Sequence, residues 1–205
     1  MADEIIPDVQ LADNTSQRIP CVLVLDGSTS MSWHRRATAM NDGLTAFAAA
    51  LADDPVARAR VQVCTLRFGG DVAVVNDWTD AAAFTPPRIV GRGDTPLGAA
   101  MRTALDRVEA RKTAYRDQGI PYTRPWLFLV SDGGPSDAWE ETAAACRQAE
   151  AAGRIIVWPV GVAQAHMDVL GKFTTGPHGA VRLDAAHWTE MFLWLSRSLS
   201  AVSQS

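Results

Sequence analysis

Cationic residues are not in excess in this chain, long apolar runs are absent and cysteine is scarce. Each shortage removes a class of function. Lys and Arg total 19 against 23 Asp and Glu, for a formal charge of -4. No basic cluster overrides that balance, which argues against a nucleic-acid partner. No apolar run approaches the ~20 residues that span a bilayer, so no membrane partner is expected. The amino terminus, Met-Ala-Asp-Glu-Ile-Ile-Pro, is acidic and has no long apolar core, so it does not read as a secretory signal. The three cysteines, Cys21, Cys64 and Cys146, form no CxxC, and two lie in strand-like apolar runs. They are expected to be buried, reduced thiols of a cytoplasmic protein. No G-x-G-x-x-G and no P-loop is present, which leaves nucleotide binding with little support. His166, His178 and His187 lack ligand spacing and are expected at the surface.

What the chain does have is an ordinary globular composition, 47% apolar and 20% charged over 205 residues. That length buries about 70% of the unfolded surface. The organising stretch is Pro20-Cys-Val-Leu-Val-Leu-Asp26-Gly-Ser28-Thr-Ser30-Met31. Its unbroken apolar run reads as a strand buried on both faces, as in the middle of a parallel sheet. Asp26 then falls at the carboxyl end of that strand, the edge where open α/β sheets bind ligands.

The remaining chain alternates strand and helix. A polar arm, with a short edge strand, is expected over 1–18. Met40, Leu44, Phe47 and Leu51 make one helical face over 35–52, stopped by Asp53-Asp54-Pro55. A strand over 61–68, with mixed faces suited to a place near a sheet edge, turns at Gly69-Gly70 and pairs back over 71–75. A connector over 84–90 leads to a helix over 96–115, with Thr95 as its cap and Pro96 in its first turn. A second buried strand covers 126–130 and a helix covers 137–152, with Asp137 as a cap. Further elements are a strand over 154–162, a short helix over 165–173, a strand over 180–183 and a helix over 187–200. Trp158, Trp188 and Trp194 are expected in the core. The fold class is α/β, doubly wound, with a mostly parallel six-stranded sheet, one antiparallel edge strand and helices on both faces. Residues 19–203 are expected to form a single domain.

Three loops at one sheet edge supply hard oxygens: Asp26, Ser28 and Ser30, then Thr95, then Asp132. Two carboxylates neutralise a divalent ion, and three hydroxyls complete a shell without excess charge. That donor set suits Mg2+, with Mn2+ or Ca2+ as alternatives. A position left open to solvent would accept an acidic side chain of another protein. Trp33 and His34 follow the first loop and are candidates for a partner surface, because aromatic residues are enriched at hot spots.

These residues resemble the metal-ion-dependent adhesion site of von Willebrand factor A-type domains: Asp-x-Ser-x-Ser, a distant Thr, then Asp-Gly. The resemblance covers about 18–200. Within the class the chain is most similar to the TerY-like bacterial proteins of tellurite-resistance and stress-response gene clusters. The features are Arg18-Ile-Pro-Cys-Val-Leu-Val-Leu-Asp26, Asp132-Gly-Gly-Pro-Ser-Asp137 and Trp194-Leu-Ser-Arg-Ser-Leu-Ser200. The resemblance implies a Rossmann-like fold that binds Mg2+ and, through it, partner proteins. A kinase, a phosphatase or tellurite-resistance domain proteins of the same system are the implied partners. Two departures stand out. Gly27 and Thr29 occupy spacer places where the family commonly has Thr and Gly. Asp94 stands beside Thr95 where Gly is usual, adding a negative charge at the partner surface.

The implied function is a non-enzymatic, metal-dependent protein-binding module. The alternative is an Mg2+-dependent phosphotransferase of haloacid-dehalogenase type. That chemistry needs a second acid two residues after the first, as general acid. Ser28 holds that place here.

Overall fold

The computed structural model describes residues 16–132, 134–184 and 187–202. The expected arm and its edge strand lie almost entirely outside the described residues. Within the described part of that stretch, Arg18 forms an isolated parallel bridge to Tyr122.

Strand β1 (Ile19–Asp26) is buried at every residue. It pairs in parallel with β2 (Val61–Gly69) on one side and β4 (Trp126–Ser131) on the other. Beyond β2, strand β3 (Asp71–Asp80) runs antiparallel. Beyond β4, strands β5 (Ile156–Val162) and β6 (Val181–Leu183) continue in parallel. The order β3-β2-β1-β4-β5-β6 is the expected sheet with one antiparallel edge. The chain winds one way from β1, then the other way from β4. The switch point therefore lies between the carboxyl ends of β1 and β4, where such sheets form their crevice.

Alternating residues of β1 feed two cores. Ile19, Cys21, Leu23 and Leu25 pack with α1 (Arg36–Asp53) and α6 (Trp188–Val202), through Met40, Leu44, Phe47, Phe192 and Leu195. Val22 and Val24 pack on the other face with α3 (Leu97–Asp117) and α4 (Glu140–Ala151), through Met101, Ala104 and Cys146. Gly43 lets α1 and α6 touch, since a Cβ there would lie 2.6 Å from the Phe192 ring. All three cysteines are free and buried. Burial pushes the Cys64 thiol up to about 11 and that of Cys146 to about 12, so neither is a ready thiolate.

Several expectations are corrected. Asp54-Pro55 ends α1 but also starts α2 (Pro55–Arg60). The Asp54 carboxylate accepts the N–H groups of Val56 and Ala57 at 2.8 and 3.2 Å, and Pro55 stands at the start of the helix. Strand β2 lies next to the edge strand as expected, yet every residue of it is buried, the polar ones included. Gln62 meets Arg111 and Tyr115, and Arg67 meets Asp71. Strand β3 runs on to Asp80 with irregular register after the turn. The 165–173 segment splits into α5 (Met167–Leu170) and a 3-10 turn (Gly171–Phe173). Trp188 is core, but Trp194 is 36% exposed and Trp158 is half-buried, with the His178 ring stacked 3.7 Å away. Among the described residues, no helix is long and apolar enough to cross a membrane.

Candidate functional site

Five side chains, anticipated from the sequence, meet at the carboxyl edge of the sheet around the switch point. Asp26 ends β1 and is fully buried. Its Oδ1 accepts the Ser28 N–H at 2.8 Å, and its Oδ2 accepts the Ser131 hydroxyl at 2.6 Å. The Ser28 and Ser30 hydroxyls lie 3.0 Å apart, and the Ser30 hydroxyl also donates to the Asp132 carboxylate. Ser28, Ser30, Thr95 and Asp132 line one cleft of about 640 Å3, with Trp33, His34 and Asp94 on its wall. All the expected partner-surface residues are thus brought to the same opening. Trp33 is 58% exposed.

The backbone that holds these groups is tied across three loops. Gly27 N–H donates to Phe68 O at 2.6 Å, and Gly27 O accepts from Arg92 N–H at 2.7 Å. Gly70 N–H reaches Asp94 O at 2.9 Å. Thr29 donates to Gly93 O through both its N–H and its hydroxyl, each at 3.0 Å. The two departures now have a local account. A Cβ on Gly27 would lie 3.2–3.3 Å from Arg67, Ile89 and Val90, a tight fit that glycine relieves. Thr29, exposed, spends its hydroxyl on the facing loop. Behind Trp33, His34 and Arg35 both adopt left-handed backbone, with φ of 51° and 60°.

The cap on α3 differs from expectation. Neither Thr95 nor Pro96 caps it through a side chain. Asp137 does, accepting from Gly98 and Ala99 at 2.9 and 2.8 Å. Asp137 is a cap as expected, but of the neighbouring helix, and α4 begins only at Glu140. Thr95 is instead pinned by its backbone to Ser136, through Thr95 N–H to the Ser136 hydroxyl at 3.1 Å and Ser136 N–H to Thr95 O at 2.9 Å. Its own hydroxyl is thereby left for the cleft.

Ser131, Ser136 and His166 are the supporting residues that the sequence reading missed. His166 lines the cleft and donates its backbone N–H to Asp132 O at 2.8 Å. Only Ser131 carried a sequence signal, as the residue beside Asp132 at a strand end. The other two are assembled by contacts distant along the chain.

The electrostatics point to a missing positive charge. Burial raises the Asp26 carboxyl above the usual range, the hydrogen bonds from Ser131 and Ser28 oppose this, and nearby Asp132 adds to the rise. No cationic side chain pairs with Asp26 among the described residues. No cluster of three or more His, Cys, Asp or Glu able to hold a metal occurs among them either, so any ion here must lean on hydroxyls. The donor set fits a hard divalent ion: two carboxylates, one of them buried without a countercharge, and three short hydroxyl side chains.

A family model for the von Willebrand factor type A domain matches residues 21–192. The chain belongs to that family. Among solved structures it is similar to the vWF domain of the type V pili tip protein Mfa5 from Porphyromonas gingivalis, at TM-score 0.71 and 10% identity, covering 93% of this chain and 97% of that one. It is similar to proximal thread matrix protein 1 from the mussel byssus with a zinc-occupied MIDAS motif, at TM-score 0.58 and 14% identity, covering 91% of this chain and 49% of that one. Manganese-loaded TRAP protein of Plasmodium vivax matches at TM-score 0.59 and 15% identity, over 86% and 74% of the two chains. These likenesses show the shared fold. No curated protein sequence matches significantly.

Proposed function

We propose that this von Willebrand factor type A chain is a metal-ion-dependent protein-binding module, formed by residues 19–203 behind an arm at 1–18. The observation that carries the reading is Asp26, a fully buried carboxylate without a cationic partner, set beneath three hydroxyls and a second carboxylate. Asp26, Ser28, Ser30, Thr95 and Asp132 are the proposed ligands, with Mg2+ as the ion and Mn2+ or Ca2+ as substitutes. The metal-loaded relatives, one with zinc and one with manganese, support the ligand role. The bound ion supplies a positive charge facing solvent. The chain's residues set its position and leave the cleft open to an acidic side chain of a partner.

The rim then selects. Trp33 offers an exposed aromatic anchor, His34 stands beside it, and Asp94 repels acids that approach off-axis. We read the chain as non-enzymatic, cytoplasmic and TerY-like, serving a tellurite-resistance or stress-response system. The sequence features at 18–26, 132–137 and 194–200 support that finer placement. The phosphotransferase reading remains the alternative, weakened by Ser28 in the place of a general acid.

The test is capture of partner protein on the immobilised chain in Mg2+ and in chelator. The expected result is capture in Mg2+ alone, weakened by Trp33→Ala while the response of the chain to Mg2+ is unchanged. Capture that is equal in chelator would sink the reading.

A further inference from the structure

At the opposite end of the sheet, a pocket of about 360 Å3 opens between the ends of α3 and α4. Strand β4, which separates it from the metal cleft, has six residues and so spans about 20 Å. Four cationic side chains line the pocket: Lys112 and Arg116 from α3, Arg124 just before β4, and Arg154 just after α4. This concentration stands out in a chain whose net charge is -4.

The local charges do not cancel. Lys112 is buried and bonded to Glu109 at 2.8 Å. Arg116 spends its guanidinium on two hydroxyls, Tyr122 at 3.2 Å and Thr113 at 2.8 Å, and not on a carboxylate. Arg124 and Arg154 are exposed and have no side-chain partner among the described residues. Asp117, next to Arg116, is exposed and bonds none of the four. Both helices end here in the same motif. Gly119 and Ile120 donate back to Arg116 O and Tyr115 O, and Gly153 and Arg154 donate back to Glu150 O and Ala149 O. Two helix carboxyl ends contribute about -0.5 each. Adding Glu109, the four cations retain an excess of roughly +2. The Thr123 hydroxyl is buried with no hydrogen-bond partner, and Thr123 lines the same pocket.

We propose that this pocket binds a phosphate monoester dianion. The excess charge matches a dianion rather than a carboxylate. Guanidinium forks fit tetrahedral oxyanions through paired N–H donors. The site is separate from the metal cleft and does not depend on its reading.

The test is thermal unfolding of the full chain in chelator at fixed ionic strength, titrated with inorganic phosphate, phosphoserine and adenosine monophosphate. Chelator removes any phosphate contact through a metal. The expected result is a saturable rise in Tm with at least one of the three. In the double variant Arg124→Gln/Arg154→Gln the apparent affinity falls by more than about tenfold, since charge-assisted hydrogen bonds are lost. Both arginines are exposed and unpartnered, so the variant's Tm without ligand is expected to match wild type. The ligand giving the tightest response names the source, a phosphorylated side chain or a nucleotide. No saturable rise with any of the three, or a rise of equal affinity in the variant, overturns the proposal.

Discussion

Buried charge is handled in opposite ways at the two ends of the sheet. At the end where β1 begins, Arg18 is fully buried, and its guanidinium reaches Asp80 and Ala59 O at 3.3 Å each. Gln62 bridges onward, donating to Asp80 at 2.5 Å and accepting from Arg111 at 2.7 Å and from the Tyr115 hydroxyl. Arg111 also lies over the Trp78 and Tyr115 rings. The Arg18 charge is thus met by a carboxylate of the same chain. At the end where β1 finishes, Asp26 is equally buried, yet it meets only neutral donors. The Arg18 charge has its partner within the chain, whereas at Asp26 the proposed ion would supply the countercharge.

The strongest way to break this contrast is Asp80→Ala. It strands Arg18 in the interior and should cost about 3 kcal/mol, the low end for a broken buried pair because Asp80 is 22% exposed. Urea denaturation should show that loss, with the added stability from Mg2+ unchanged. Next comes Gly27→Thr, which restores the residue commonly found in the family. Its Cβ meets Arg67, Ile89 and Val90 at 3.2–3.3 Å, so overpacking should cost about 2 kcal/mol and weaken Mg2+ binding. An unchanged urea midpoint would show that the loop accommodates the side chain freely. Asp137→Ala should cost about 1 kcal/mol by uncapping α3. A titration with Mn2+ should also show weaker binding, because Thr95 precedes that helix.

A smaller effect sharpens the contrast through pH. Burial alone would raise the Glu150 carboxyl, but the N–H groups of Val157 and Thr175 and the hydroxyls of Thr174 and Thr175 hold it below the usual range. Its contribution is present above the unfolded value and is lost as pH falls through the depressed folded one. Asp26 has the opposite sign. In chelator its folded form holds the proton more tightly than the unfolded chain, so stability is lost as pH rises from the ordinary carboxylate value through the raised one. Unfolding midpoints across pH should therefore flatten on the acid side in Glu150→Gln. In wild type, Mg2+ should remove the loss that comes from ionising Asp26. A profile in which Glu150→Gln keeps the full acid slope would contradict the first half of this prediction.

Much of the fold was legible because burial writes itself into composition. The runs at 20–26 and 126–130 had no polar interruption, and both proved to be central strands. Strand β2 reads as mixed on both faces because of Gln62, Thr65 and Arg67; all three are buried, Gln62 against Arg111 and Tyr115 and Arg67 against its own turn at Gly69 and Asp71. The second half of β3, Asn76 to Asp80, is polar enough to pass for a loop, and only its pairing with β2 makes it a strand. At the site, Asp26 and Asp132 stand out because each follows an apolar run at a strand end, whereas Thr95 lies on a connector just before α3. The cap from Asp137 to α3 and the brace from Ser136 to Thr95 were not legible. Each joins residues about 40 apart in sequence, and nothing local in either partner announces the other. Trp194 does pack on the sheet, against Trp126 of β4 and Trp158 of β5, yet over a third of it stays exposed, which the apolar helical face alone did not reveal.

The central claim is that Asp26 is buried for the sake of a cation. The most direct measurement is thermal unfolding of wild type and Asp26→Asn, each in chelator and in saturating Mg2+. An ion at one hundred times its dissociation constant adds about 2.7 kcal/mol, and about 2–4 °C per kcal/mol is expected at this chain length. Wild type should therefore gain roughly 5–10 °C in Mg2+, and Asp26→Asn should gain none. An equal gain in both proteins, or none in wild type, would contradict the account.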